Sequence, residues 1–394
     1  GWYTSRSTAP SGAPSRVRTE YRHLYLHVPF CARRCSYCDF AIVVRRQVPV
    51  ADFIASIRRE LSLRVDPSAP PVLDTLYLGG GTPSRLGPDG IALLMDVVRE
   101  HVTIASGAEV TLEANPEDIT DDAVRAWMTA GVNRLSIGIQ SFDDRVLRWM
   151  HRVHDADTAR RAIDVARAAG LSSFSIDLIF SVPESLERDW ARDLDEVLLI
   201  AAPHVSLYGL TIEPHTPLGH WRARGEVAES PEETYESDFL LAHHRLSAAG
   251  YDHYEVSNFS QAGARAVHNS AYWQGVPYLG VGPSAHGFDG RVRRWNIASY
   301  PAWGGALQAG KDPAEGEEML TANNRQAESV YLGLRTSDGL RMSDATRSRV
   351  ASWFTAGWLE LVGDAENGRV RCTPTGWLRL DRLAADLTAL PSHS

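Results

Sequence analysis

The sequence predicts an α/β protein, a partial (β/α)6 barrel followed by a small, winged-helix-like α+β domain. Three observations carry this. Between Tyr21 and about Glu213, six short apolar runs alternate with longer amphipathic ones. Each apolar run leads to a polar or reactive residue. Beyond residue 321 the texture changes to short helical runs around a turn. Alternating β and α segments imply a parallel sheet, and right-handed crossovers curl it towards a barrel. Six units, where a closed barrel needs eight, leave it open.

The strand-like runs are Leu24–Val28, Thr75–Leu78, Glu109–Leu112, Arg134–Ile139, Phe174–Ile179 and His204–Leu210. Helix-like stretches lie between them, at about 50–65, 88–102, 117–130, 157–169 and 187–200. In α/β barrels reactive groups gather where strands end, because the following loops converge there. Here the first strand leads to Cys31, Cys35 and Cys38, and the second to Gly79-Gly80-Gly81-Thr82-Pro83. The third ends at Glu113, the fourth at Gln140, the fifth carries Asp177, and the sixth reaches Tyr208 and Thr211.

Residues 214–320 read as a loop-rich extension with many aromatics and histidines. The C-terminal domain, 321–394, combines helical runs at Arg325–Arg335, Ser343–Ala356 and Thr375–Leu387 with an Asp364–Gly368 turn between two short strands. It holds nine arginines against eight acidic residues. That balance supplies no basic face for DNA, and packing or partner docking fits better. Residues 1–20, rich in Ser, Pro, Ala and Arg without an apolar period, read as a disordered tail, not a secretory signal.

The 394 residues are 44% hydrophobic and 23% charged, a globular composition that needs no disulfide to hold its core. The net charge of −9 disfavours a nucleic-acid partner. The longest apolar runs, Ile91–Met95 and Val197–Ala202, fall far short of the ~18 residues that span a bilayer. A cytoplasmic location is expected, with peripheral membrane contact left open.

Three of the 4 cysteines, Cys31, Cys35 and Cys38, fall within eight residues, and Cys372 is remote. A secreted disulfide scaffold would spread many more along the chain, so this cluster points to a reducing compartment and a metal. Structural zinc takes four ligands, and neither His27 nor Asp39 has a usual spacing for the fourth. An iron–sulfur cluster held by three thiolates keeps one iron open to an outside ligand. Arg33 and Arg34 favour the thiolate forms. The spacing favours the cluster, with zinc or a redox thiol pair as the alternative.

The stretch Tyr25-Leu-His27-Val-Pro29-Phe30-Cys31-Ala-Arg-Arg-Cys35-Ser-Tyr37-Cys38-Asp-Phe40 resembles the opening signature of the radical S-adenosylmethionine (SAM) superfamily. More closely, it resembles the branch containing oxygen-independent coproporphyrinogen III oxidases and heme chaperones. The resemblance implies a radical SAM barrel and a [4Fe-4S] cluster whose open iron binds the amino and carboxylate groups of S-adenosyl-L-methionine. In active members, reduction splits SAM to a 5′-deoxyadenosyl radical. Carried over residue by residue, Tyr25 and Tyr37 flank the cluster. Gly80, Gly81 and Thr82 match the glycine motif along the methionine end of SAM, where close backbone approach leaves no room for Cβ. Glu113, Gln140, Arg152 and Asp177 match further SAM-binding positions. A phosphate loop is excluded because no lysine follows the glycines.

Two departures from the oxidases point to the chaperone side. Phe40 stands where the oxidases carry a fourth cysteine, and only 24 residues precede Tyr25. His268-Asn269-Ser-Ala-Tyr272-Trp273 also matches a chaperone motif linked to heme binding. A histidine can ligate heme iron, and Tyr and Trp can stack on the macrocycle. The bland alternative is a hydrogen-bonded core corner near the barrel mouth, and His286 is a second ligand candidate. The resemblance thus implies a protein that takes heme as cargo and delivers it to recipient hemoproteins, some membrane-associated, with a homodimer left open. Competing readings are an oxygen-independent coproporphyrinogen III dehydrogenase and a radical SAM methyltransferase or other porphyrin-modifying enzyme.

Overall fold

A computed structural model describes residues 19–364 and 367–389. Residues 1–18 of the expected tail, and 365 and 366 of the expected turn, lie outside them. The six expected strands are present as β1 (His23–Val28), β2 (Val72–Gly80), β3 (Thr103–Ala114), β4 (Arg134–Gln140), β5 (Phe174–Phe180) and β6 (His204–Gly209). They pair in chain order, all parallel.

Successive strand residues face opposite sides of a sheet. Leu24, Leu26 and Val28 of β1, Leu76 and Leu78 of β2, and Ile176 and Leu178 of β5 join the buried core beneath the helices. The alternate residues are polar and point inward: Tyr25, Thr75, Tyr77, Thr111, Glu113, Ser136, Asp177, His204 and Ser206. The interior is therefore tied by hydrogen bonds as well as packing. Ser175 Oγ donates to Asp177 Oδ1 at 2.8 Å and pairs with His204 Nδ1 at 2.8 Å, while Ser206 Oγ donates to Asn258 Oδ1 at 2.6 Å.

The outer layer is α1 (Val50–Arg64), α2 (Gly87–His101), α3 (Asp121–Ala130), α4 (Asp144–Trp149), α5 (Ala156–Ala168) and α6 (Trp190–Ile200). Capping sets their starts: the side chains of Thr120, Asp143, Asp155 and Asp189 each accept a first-turn backbone N–H. The third helix begins later than expected because Pro116–Asp118 forms a separate 3-10 turn and Thr120 caps α3 beyond it. Strand β3 begins six residues earlier than expected. A register shift between Leu73 and Thr75 absorbs the irregular stretch around Gly107, whose φ is 78°.

The extension is more ordered than its loop-rich composition suggests. It supplies α7 (Pro217–Ala223), α8 (Glu232–Ala248), α9 (Val267–Trp273) and α10 (Tyr300–Gln308). It also covers both margins of the six-stranded sheet. Strands β7 (Asp252–Glu255) and β8 (Asn258–Ser260) continue it beyond β6, and β9 (Leu279–Val281) lies parallel to β1. Gly282 follows β9 at φ 102°, where a Cβ would stand 2.4 Å from the His27 carbonyl oxygen. Fully buried Glu60 of α1 fastens this region. It accepts from Gly282 N at 2.8 Å, Trp303 Nε1 at 2.9 Å, Arg64 Nη2 at 3.3 Å and the Asn296 amide.

The C-terminal domain follows the helix–strand–helix–helix–strand–strand order of a winged helix. Its elements are α11 (Ala322–Arg335), β10 (Leu340–Arg341), α12 (Asp344–Arg349), α13 (Ala351–Thr355), β11 (Leu359–Leu361) and β12 (Arg369–Cys372), and the expected final helix follows as α14 (Pro374–Trp377) and α15 (Leu380–Ala389). The three strands are antiparallel, with β12 central. Cys372 is a core residue there, its thiol pushed up to about 12 by burial. No helix among the described residues is long and apolar enough to cross a membrane.

Candidate cluster and cofactor site

A cavity of about 440 Å³ opens where β1 to β6 end. Cys31, Cys35, Cys38, Tyr37, Gly80, Gly81, Thr82, Glu113, Gln140, Arg152 and Asp177 all line it. Every residue expected to touch cluster or SAM is therefore gathered there except Tyr25. That side chain stands behind the wall, its hydroxyl 2.9 Å from His27 Nδ1 and its ring stacked on Tyr77.

The cysteine loop is held on several sides. Phe30–Cys31 pairs with Val43–Val44, Ser36 N donates to Met150 O at 3.1 Å, and Leu218 N donates to Ser36 O at 2.9 Å. Each sulfur has its own environment. Cys31 Sγ lies 3.4 Å from Thr82 Oγ1, Arg152 Nη1 donates to Cys35 Sγ at 3.4 Å, and Arg34 Nη1 donates to the Cys38 carbonyl at 3.3 Å. Arg152 is itself anchored by Asn115 Oδ1 at 2.8 Å and Gly138 O at 2.7 Å, and its buried Nε has no partner. Burial raises the Cys31 thiol and pushes Cys38 up to about 11. Among the described residues, no three His, Cys, Asp or Glu groups could hold one metal ion.

The glycine motif is demanded by the protein's own packing. A Cβ on Gly81 would sit 2.7 Å from the Pro29 carbonyl, and one on Gly80, at φ 114°, 2.6 Å from the His27 ring. Glu113 then faces the cavity, accepting from Tyr77 OH at 2.7 Å and Gly80 N at 3.0 Å. Burial, helped by nearby Asp177, pushes its carboxyl up to about 7. Asp177 accepts from Ser136 and Ser175 and is likewise raised by burial. Gln140 sits at φ 68°, where the strand register shifts and turns it to the rim.

Glu113 makes stability depend on pH. Its raised carboxyl contributes stability fully present below the ordinary value of 4.5 and lost as pH rises through about 7. A shift of that size corresponds to about 3 kcal/mol. In urea unfolding of the cofactor-free chain, Glu113→Gln should flatten the stability slope across that window. An unchanged slope would assign the proton elsewhere.

The His268 motif lies apart from this cavity, on α9 beneath the barrel. Glu109 accepts the Val267 and His268 backbone N–H groups, both at 2.9 Å. His268 is 1% exposed, with Nδ1 2.7 Å from Thr75 Oγ1, Nε2 2.6 Å from Tyr272 OH, and its ring on Tyr77. Burial holds its pKa down to about 3, so the ring is neutral with both nitrogens engaged. Asn269 is half-buried, and the Arg335 guanidinium covers Trp273 at 4.2 Å from its ring centroid. His286 is exposed and stacks on Trp295. Sequence reasoning missed Asn115, Tyr77 and His151 in the lining. Asn115 was accessible to the strand-end rule, and Tyr77 to the inward alternation.

Residues 25–197 match the family model described as the Radical SAM superfamily, and that is the class of protein the fold and cavity define. Coproporphyrinogen III oxidase (HemN) from Escherichia coli, a radical SAM enzyme, superposes with a TM-score of 0.79 over 94% of this chain and 91% of that one. At 21% identity, this shows a shared fold. The heme chaperone HemW of Mycobacterium tuberculosis is 37% identical over 92% of this chain and 94% of its own. The HemW proteins of Bacillus subtilis and Escherichia coli are 31% and 36% identical over 80% and 71% of the chain. The chain belongs to the HemW family.

Proposed function

We propose that this protein is a cytoplasmic heme chaperone that carries a [4Fe-4S] cluster and SAM, takes up heme as cargo and delivers it to hemoproteins, membrane-associated ones included. What carries the reading is the near full-length similarity to heme chaperones, with Phe40 in place of a further thiol. The residues present fit the cofactors. Three separately placed thiols suit a cluster in which each thiolate takes its own iron, and Arg152 offers a charged donor beside Cys35. When bound, the cluster supplies one electron to SAM. Thr82 and Arg152 orient the sulfurs, the Gly80 N–H and Tyr77 hold the Glu113 carboxylate in place, and Asp177 offers a second acceptor for ligand hydroxyls.

Heme titrated into cluster-loaded protein should give a saturable Soret change, and holoprotein should pass heme to an apo-hemoprotein. The gathering of Gly80, Gly81, Thr82, Glu113, Gln140, Arg152 and Asp177 around one cavity supports the enzymatic readings as well. Anaerobic incubation with reductant, SAM and coproporphyrinogen III should yield no protoporphyrinogen and no methylated product. Protoporphyrinogen would establish the dehydrogenase, methylation a transferase, and absence of heme uptake would overturn the chaperone.

A further inference from the structure

Among the described residues, His151 is the one histidine that lines the cavity. It follows α4, and its backbone is left-handed at φ 58°, a conformation few non-glycine residues adopt. The surrounding turn enforces this: Met150 N donates to Val146 O at 2.8 Å, and Arg152 N to Leu147 O at 2.9 Å. The ring makes no hydrogen bond with any described residue and is held only edge-on against Trp221, centroids 5.4 Å apart. Phe40 and Val153 share the rim, 64% and 55% exposed, an apolar surface at a cavity mouth. Three buried histidines are engaged at one or both ring nitrogens. His27 and His268 each have both ring nitrogens in hydrogen bonds, and His154 Nε2 pairs with Ile139 O.

A half-exposed imidazole with free nitrogens, set in apolar surroundings, is a ready ligand for heme iron. We propose that His151 is the axial ligand that grips heme iron at the cavity mouth, with Phe40, Val153 and Trp221 against the macrocycle. The ring donates a lone pair to the iron, and no proton or electron changes hands. The assignment rests on the chaperone reading and adds the residue that reads the metal.

The test is a hemin titration of cluster-loaded wild-type, His151→Gly and His268→Gln proteins, followed by absorption and electron paramagnetic resonance. Glycine suits φ 58°, so the variant keeps the turn and opens a space that free imidazole can enter. Wild type should show a nitrogen-ligated iron. His151→Gly should lose that signature and bind heme roughly tenfold more weakly, about 1.4 kcal/mol, with added imidazole restoring it. His268→Gln should retain it. An unchanged signature in His151→Gly, or its loss in His268→Gln alone, overturns the assignment while heme uptake stands. A wild type that takes up no heme overturns the chaperone reading as well.

Discussion

Replacing Cys31 with alanine should leave the protein colourless after anaerobic reconstitution, while wild type turns brown. Iron content should fall from about four per chain towards zero. Only three thiols face the cavity, so two remain after the substitution and no other cysteine can reach. The fold should persist, since the change removes one sulfur near the rim and costs about 1 kcal/mol. A circular dichroism spectrum matching wild type would separate cluster loss from unfolding. A variant that keeps its cluster refutes the ligand assignment, and a colourless wild type with stoichiometric zinc refutes the cluster itself.

The largest effect on stability is expected at Glu60. Its carboxylate gathers four donors, from α1, the turn after β9, Asn296 at the end of the strand Val292–Asn296, and α10, all sealed from water. Truncation in Glu60→Ala strands Arg64, Asn296, Trp303 and the Gly282 N–H together. Breaking a buried ion pair by removing one partner costs roughly 3–5 kcal/mol. Urea unfolding should show that loss as a lower midpoint, with Glu60→Gln retaining part of the stability. A loss below about 1 kcal/mol would mean that water enters and satisfies the donors.

Much of this structure is legible because its signals are local. The six parallel strands appear within a few residues of their expected positions, except where β2 and β3 gain lead-in residues around Gly107. The strand-end rule placed the three cysteines, Gly80 to Thr82, Glu113, Gln140, Asp177, Tyr208 and Thr211 in the cavity wall, while Gly79, Pro83 and Tyr25, the last carried over from the family resemblance, do not line it. Other features depend on contacts that no local pattern encodes. Three-residue strands such as β8 and β9 have no visible period. The six-residue α4 is too short to betray itself, and with it His151 stayed hidden. His268 shows the limit of a motif: the string is plain in sequence, yet only the fold reveals both ring nitrogens engaged with Thr75 and Tyr272.

The pairing of β1 with β9 has a consequence for how the chain reaches this state. Leu24 and Leu279 are register partners, so the outer edge of β1 stays unpaired until some 255 residues more have been made. Closing such a distant contact is slow, and an uncovered parallel edge invites pairing with another chain. During synthesis the nascent half-barrel is thus exposed to aggregation until the extension arrives. A fragment ending at 213 should accumulate in inclusion bodies where the full chain does not.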